Sequence, residues 1–251
     1  MFRQYLRRSG GKCIRYYEGI TSRKRALSSL LHENRSKVAK LKVLETSRDD
    51  DVVDVIFCEE APDCTEFLGH KIPKSQVEHF KGNVKETLVL HNKDDKVRVY
   101  VGIGDENKTR SEENARTAAY CAIKELEKLK TKEANLHLPE FCHGDASFVR
   151  AIAQSSVLST YKFDRYKTRD ADEDSSSSSL ENLNLIVSST PSVISSVNEQ
   201  IALNEGTILA RDLGNERGDV AHPDALEETC HDLCSEYNFN FKVRSGKMTC
   251  F

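Results

Sequence analysis

The strongest constraint on the fold is a regular succession of short apolar runs and longer segments with helical spacing. Residues 87–90 and 97–103 are rich in Val, Leu and Ile and flank a polar turn, which predicts a β-hairpin. Apolar residues then recur at three- and four-residue intervals over 115–129, which predicts a helix capped by Thr109 or Ser111. Because strands that alternate with helices pack in layers, we expect an α/β domain with a mixed sheet flanked by helices.

The other strands and helices are predicted from the same periodicities. Strands are expected at 40–44, 52–57, 135–138 and 183–187, and helices at 147–158 and 192–214. An acidic, serine-rich stretch at 168–180 has the composition of a flexible loop. These elements predict a domain over 38–190 and a C-terminal linker helix over 191–214, with a basic extension at 1–37 and a further segment at 215–251.

Charge is distributed unevenly along the chain. Residues 1–45 contain 12 Lys and Arg against three Glu, while the rest of the chain contains 25 basic and 37 acidic residues. An acidic body is a poor surface for nucleic acid, because phosphate binding needs a cationic one. No apolar run approaches the roughly 18 residues needed to cross a bilayer. We therefore expect neither a nucleic-acid nor a membrane partner.

The basic N-terminal segment has three interpretations. Residues 1–17 contain five Arg and Lys, no Asp or Glu, and the apolar side chains of Phe2, Tyr5 and Leu6. This composition is typical of a mitochondrial transit peptide, equally of a disordered basic arm, and less so of a nucleic-acid arm. The eight cysteines come without a secretory apolar segment, which favours reduced thiols. The expected location is cytoplasmic, or mitochondrial through the basic segment.

Gly102 and Gly104 follow a predicted strand and precede a predicted helix, a position in which glycines can cradle a phosphate. The spacing lacks the third glycine of a dinucleotide fingerprint, and no Gly-Lys-Ser/Thr follows. A simple turn is the favoured interpretation.

A second cluster, His222, Cys230, His231 and Cys234, suggests zinc by composition. On the predicted helix, Cys230 and Cys234 share a face whereas His231 points elsewhere, so they are interpreted as small residues that face a core. No Gly-x-Ser-x-Gly or His-Glu-x-x-His pattern occurs in the sequence. The residues alone predict no active site.

The last third of the chain contains an ordered series of motifs. Tyr161-Lys-Phe-Asp-Arg-Tyr-Lys167 precedes the serine-rich loop, and Ala210-Arg-Asp-Leu-Gly-Asn215 and then Pro223 follow it. This series resembles the hinge region of the leucyl aminopeptidase (cytosol aminopeptidase) family, two-metal exopeptidases that remove N-terminal residues from peptides. The resemblance spans about 38–245 and includes the strand end Val101-Gly-Ile-Gly104 and a helix with Arg116.

The resemblance implies a macro-domain-like fold that helps to assemble a hexamer, followed by a helix and turn that lead into a catalytic domain, of which 215–251 are expected to be a truncated start. It implies a domain-packing or hinge role for seven residues: Tyr161, Phe163, Tyr166, Ala210, Arg211, Asn215 and Pro223. The lysine and arginine between the three aromatic residues are expected to face solvent or a partner. After Asn215 the chain departs from the family pattern, with Glu216-Arg-Gly-Asp219 in place of a proline.

The family's active site contains two divalent metals, zinc or manganese, whose ligands lie beyond the matched region. Its Asn-Thr-Asp-Ala-Glu-Gly-Arg signature does not occur in these 251 residues. A paired-metal site needs several acidic ligands that hold ions about 4 Å apart. No catalytic or metal residue is therefore assigned, and no cofactor is expected in this chain.

The resemblance thus predicts the N-terminal, non-catalytic part of a leucyl aminopeptidase, inactive alone and acting on peptides only with a catalytic domain. Expected partners are copies of itself or full-length subunits of the family. The alternative hypothesis is a stand-alone macro-like module that binds a nucleotide such as ADP-ribose or drives oligomerisation. Without a catalytic domain, Ile201, Ile208 and Leu226 are expected to be exposed and 215–251 to be mobile.

Overall fold

The computed structural model describes residues 3–9, 12–18, 37–46, 52–59, 66–67, 70–71, 80–91, 96–104, 111–139, 142, 144–167, 180–187 and 190–244. These residues belong to two compact units, Leu31–Glu216 and Met1–Leu30 with Arg217–Phe251. The predicted loop at 168–180 lies almost entirely outside the described residues, as does Thr109.

In chain order the strands are β1 (Arg3–Ser9), β2 (Lys12–Glu18), β3 (Lys40–Leu44), β4 (Val53–Glu59), β5 (Glu66–Phe67), β6 (His70–Lys71), β7 (Thr87–His91), β8 (Val97–Gly104), β9 (Glu133–His137) and β10 (Asn182–Ile186). The helices are α1 (Glu112–Lys128), α2 (Ala146–Leu158), α3 (Pro191–Asn215) and α4 (Pro223–Glu236). Strands β1 and β2 form an antiparallel hairpin within the basic extension, and its role as a targeting segment stays a prediction.

The unit Leu31–Glu216 is built on a six-stranded sheet with the order β3-β10-β9-β4-β8-β7. Neighbouring strands are parallel except β7 and β8, which form the predicted antiparallel hairpin. The prediction of a mixed α/β fold is confirmed. Strands β9 and β10, for example, are parallel neighbours joined by a crossover that contains α2, as a parallel pair requires.

Side-chain caps define where two of the helices begin. Ser111 Oγ accepts a hydrogen bond from Asn114 N at 3.1 Å, so Ser111 is the cap of α1. Asp145 Oδ1 accepts from the backbone N–H of Ser147 and Phe148, at 3.1 and 3.2 Å, and caps α2. Helix α3 instead begins with Pro191, whose missing N–H costs nothing at a position without a partner inside the helix.

The main core lies between one face of the sheet and the helices. Helix α1 packs against β8, α2 packs against α1 and α3, and both α2 and α3 contact β3. Helix α1 presents four fully buried alanines to this core, which lets its backbone approach the neighbouring elements closely. The largest side chains that fill the core come from both layers: Val55, Val99, Val101, Ile123, Leu126, Leu136, Val149, Ile152, Leu183 and Leu185.

Helix α3, predicted as a linker, is packed within this same unit. Ile208 is 4% exposed and belongs to the core, and Ile201 is partly buried against it. The expectation that Ile208 is exposed was therefore wrong, because α2 and β3 cover it. Leu226, in the other unit, is half-buried.

The opposite face of the sheet carries a row of polar side chains, which we call the polar row: Asn184, Asn135, Asp54 and Arg98. The four occupy paired register positions on β10, β9, β4 and β8. Asn184 Nδ2 donates to Asn135 Oδ1 at 3.1 Å, and Asn135 Nδ2 donates to Asp54 Oδ1 at 3.0 Å. Burial alone raises the pKa of Asp54, but hydrogen bonds from His137 and Asn135 outweigh it and lower that pKa. A hydrogen-bonded chain of Asn184, Asn135 and Asp54 thus crosses this face of the sheet, with Arg98 at the paired position on β8.

Candidate functional site

The segment that follows α2 lies against the C-terminal end of α3. Thr160 Oγ1 accepts from Ala39 N at 3.2 Å and donates to Val157 O at 2.8 Å, which ties the start of the segment to the sheet domain. The next seven residues form no helix or strand, and their side chains carry the contacts with α3. We call the resulting group the hinge clamp, defined as Tyr161, Arg165, Tyr166, Asp212, Asn215 and Glu216.

Tyr161 is the centre of the first half of the hinge clamp. Its hydroxyl donates to Asp212 Oδ1 at 2.8 Å and accepts from Asn215 Nδ2 at 3.1 Å. Asp212 is fully buried, so a charge-assisted hydrogen bond from Tyr161 is needed to offset its desolvation. Burial and the Asp212 carboxylate raise the pKa of Tyr161, against the opposing hydrogen bond from Asn215.

Arg211 also contacts Tyr161, on the face of its ring. Its guanidinium lies 5.6 Å from the centre of the Tyr161 ring, within cation–π distance. Its Nη1 also donates to Leu158 O, the last residue of α2, at 3.3 Å. Arg211 therefore links α3 to both the tyrosine ring and the end of α2.

The second half of the hinge clamp centres on Glu216, directly after α3. Tyr166 donates its hydroxyl proton to Glu216 Oε2 at 2.6 Å, and Arg165 forms an ion pair with the same carboxylate. The Glu216 side chain is fully covered and that of Arg165 is 15% exposed, so this pair is largely removed from water. The Phe163 ring packs against Tyr166, with ring centres 5.9 Å apart, and lies 5.5 Å below the Arg165 guanidinium.

The structure brings together five of the seven predicted residues: Tyr161, Phe163, Tyr166, Arg211 and Asn215. Ala210 is exposed on α3, away from these contacts. Pro223 opens α4 in the other unit.

Three participants, Asp212, Glu216 and the enclosed Arg165, were missed by sequence reasoning. Asp212 and Asn215 are three residues apart on a helix and so share a face, a spacing that could have paired both with one tyrosine. Glu216 was noted only as a departure from the family pattern. Arg165 was expected to face solvent or a partner, but its side chain is only 15% exposed and pairs with Glu216 of the same unit. Lys162 is exposed and pairs with Glu127 at 2.9 Å.

Gly102 is required for close packing of backbone. A Cβ at this position would lie 2.1 Å from Asn83 O and 2.4 Å from Gly82 C. Two hydrogen bonds hold the loop of residues 82–86 against β8. Gly102 N donates to Glu86 O at 2.9 Å, and Gly104 N donates to Gly82 O at 3.0 Å. The space beside Gly102 that a phosphate would need is filled by this loop.

The suggested zinc residues do not converge. His222 Nδ1 accepts from Ala225 N at 3.2 Å and caps α4, while His231 packs edge-on against Phe241. Cys230 is exposed rather than core-facing, which corrects that expectation, and Cys234 is half-buried. Across the part of the chain that the structure describes, no three His, Cys, Asp or Glu side chains are placed to hold a metal ion. The donors present there do not fit a two-metal centre.

Within the described ranges, no helix has the length and apolar character needed to cross a bilayer.

Part of the unit Leu31–Glu216 is similar in sequence to known proteins. Residues 74–170 match the N-terminal domain of the cytosol aminopeptidase family. A probable cytosol aminopeptidase of Protochlamydia amoebophila is 33% identical over 161 residues, which cover 63% of this chain and 32% of that protein. One from Clostridium tetani is 29% identical over 189 residues, covering 74% and 37% respectively. The chain spans about a third of the length of these curated relatives.

Solved structures show the same fold at lower identity. A mutant of tomato leucine aminopeptidase superposes with a TM-score of 0.64 at 16% identity, over 80% of this chain and 43% of that chain. The bottromycin maturation enzyme BotP superposes with a TM-score of 0.59 at 21% identity, over 78% and 40%. BotP has also been solved in complex with Mn.

Proposed function

Because residues 74–170 match the N-terminal domain of the cytosol aminopeptidase family, we propose that this chain serves as the non-catalytic, positioning part of a leucyl-type aminopeptidase. The observation that carries the proposal is the hinge clamp, which fixes the end of α3 by two tyrosine hydroxyls and one enclosed ion pair. These contacts fix the orientation of the C-terminal end of α3, and so the direction in which the chain continues from it. In the proposed enzyme, that direction sets where the polypeptide after α3 begins.

The chemistry of the described residues supports the non-catalytic part of the proposal. Among the described residues, the hinge clamp and the Asn184, Asn135 and Asp54 side chains of the polar row are groups already hydrogen-bonded to one another. Activation of water for peptide hydrolysis needs a metal centre or a base with access to substrate. The proposed division of labour assigns that step, and the peptide substrate, to subunits with a catalytic domain.

Catalytic competence is tested directly with the 251-residue protein. Leucyl-p-nitroanilide is incubated with the purified chain in the presence of Mn²⁺ or Zn²⁺, beside a cytosol aminopeptidase as positive control. The expected rate equals that of the no-protein blank. Turnover that rises in proportion to the concentration of this chain would contradict the proposal.

The positioning role is tested by hydrogen exchange over residues 210–222. In Tyr161→Phe/Tyr166→Phe, both hydroxyl donors to the end of α3 are removed while the rings remain. Amide exchange in the last turn of α3 and at Glu216 is expected to accelerate at least about tenfold, because local opening becomes easier.

A matched control is Tyr120→Phe, on the exposed surface of α1, where the ring is 50% exposed. It should leave exchange over 210–222 unchanged. Unchanged exchange in the double variant would show that the hydroxyls do not hold the helix end, and the positioning role would be lost.

A further inference from the structure

Strand β3 forms one edge of the sheet, and half of its backbone groups point outward. Lys40 N donates to Glu181 O, and Leu44 O accepts from Val187 N, so these alternate residues face β10. In a parallel pair, the intervening residues direct their N–H and C=O groups to the other side. Leu41 and Val43 therefore present theirs along the outer edge, where no described strand is paired. Such an edge is a template for another strand.

A groove of about 420 Å³ runs alongside this edge, between β3 and α3. Its lining comes from residues 38–42, from Val157 and from α3, where Ile201 and Ile208 are apolar and Asn204 and Glu205 are polar; the lining surface is largely apolar. The groove lies on the same side of the sheet as the side chain of Leu41, because Leu41 belongs to the core that α2 and α3 cover. A strand added to β3 would therefore direct every second side chain into an apolar groove.

The opposite side of the edge is cationic. Lys40 and Lys42 alternate with Leu41 and so project from the other face of the sheet, beside Asn182 and Asn184. Both lysine residues are exposed, and Lys42 Nζ donates to Asn182 Oδ1 at 3.5 Å. An added strand would place some of its side chains next to these lysines. Carboxylates suit those positions best, because opposite charges on neighbouring strands attract.

We propose that β3 binds an extended segment of a partner protein whose side chains alternate between apolar and acidic. The backbone of that segment pairs with Leu41 and Val43, its apolar side chains enter the groove, and its carboxylates face Lys40 and Lys42. Backbone hydrogen bonds supply affinity, and the alternation supplies specificity. This surface is separate from the hinge clamp, so the proposal stands independently of the positioning role.

The binding test uses the 251-residue protein and a short, fluorescein-labelled peptide of alternating Glu and Val. Fluorescence anisotropy is expected to show saturable binding that weakens with added salt. The matched peptide with Lys in place of Glu should bind at least about tenfold more weakly. In Lys40→Glu/Lys42→Glu, the preference should reverse in favour of the lysine peptide.

Strand addition is separated from simple charge attraction by residue-specific amide exchange. On binding of the Glu–Val peptide, the amides of Leu41 and Val43 should slow, while those of Lys40 and Lys42, already bonded to β10, should change little. Val43→Pro removes one outward donor without removing a bond to β10, and a proline is tolerated on such an edge. It should weaken peptide binding, provided its thermal unfolding matches the parent.

Three outcomes would overturn the proposal. The first is no binding of the Glu–Val peptide at concentrations up to about 1 mM, and the second is binding without protection of Leu41 and Val43. The third is self-association of the free protein, seen by analytical ultracentrifugation and lost in Val43→Pro, which would assign the edge to a second copy of this chain instead.

Discussion

At the scale of single residues, the Tyr161 hydroxyl satisfies a fully buried carboxylate. Tyr161→Phe keeps the ring beneath Arg211 but removes the 2.8 Å hydrogen bond to Asp212. A buried acceptor left without its donor costs about 1–3 kcal/mol, so the free energy of unfolding should fall by that amount. Urea denaturation followed by circular dichroism measures it. Tyr120→Phe, on an exposed surface, should change it by less than about 0.5 kcal/mol, and an equal loss in both variants would contradict this role of Tyr161.

Gly102 offers a second prediction at this scale. Gly102→Ala forces a Cβ into the backbone of Gly82 and Asn83, which cannot rotate away as a side chain can. The expected loss is about 3 kcal/mol of unfolding free energy, the upper end of the usual cost of overpacking, and soluble yield should fall with it.

The control for this prediction is Gly206→Ala within α3, where a Cβ meets nothing within 4 Å. There, alanine should stabilise by about 0.5–1 kcal/mol, because glycine is the poorer helix former. The two substitutions are chemically identical, so thermal unfolding of both separates local packing from the general effect of alanine. Equal effects of the two substitutions would contradict the packing argument.

At the scale of secondary structure, the polar row contains one ionised carboxylate, Asp54, which accepts a hydrogen bond from Asn135 and lies 3.0 Å from His137 Nε2, both on β9. Because the pKa of Asp54 in the folded protein lies below its ordinary value of 3.8, ionised Asp54 stabilises the fold above that value. This contribution is lost as pH falls below about 4 and through the folded pKa. Wild-type stability should therefore decline over that range more steeply than that of Asp54→Asn.

Urea unfolding at several pH values between about 2 and 7 measures the two slopes. Asp164→Asn, at an exposed position in the segment after α2, serves as the control and should keep the wild-type slope. Parallel pH profiles for wild type and Asp54→Asn would show that this carboxylate is not linked to folding.

At the scale of the whole molecule, the two compact units differ in how much apolar surface their helices bury. Helix α1 has six buried residues, while Thr229 is the buried residue of α4 among those described. Hydrogen exchange followed by mass spectrometry on the full chain should therefore show faster exchange in α4 than in α1. Comparable protection of the two helices would indicate that a further surface covers α4.

Sequence reasoning succeeded where periodicity is strong. The alternating run that became β8 and the alanine-rich spacing of α1 each follow from one local pattern, and both are confirmed. It failed where a contact joins residues distant in the chain. Arg165 and Glu216 are 51 positions apart, and no local pattern tells a solvated arginine from one enclosed by a carboxylate. Ile208 was misjudged for a related reason, because its cover comes from α2 and β3.

The polar row also has a consequence for how the sheet assembles. A slip of one position by β9 would turn Asn135 into the main core and send Leu136 to the side of Asp54. Every such misalignment buries an amide among hydrocarbons and strips a carboxylate of its donors. The polar row thus acts mainly by raising the free energy of misaligned strand pairings, so that one strand register is favoured.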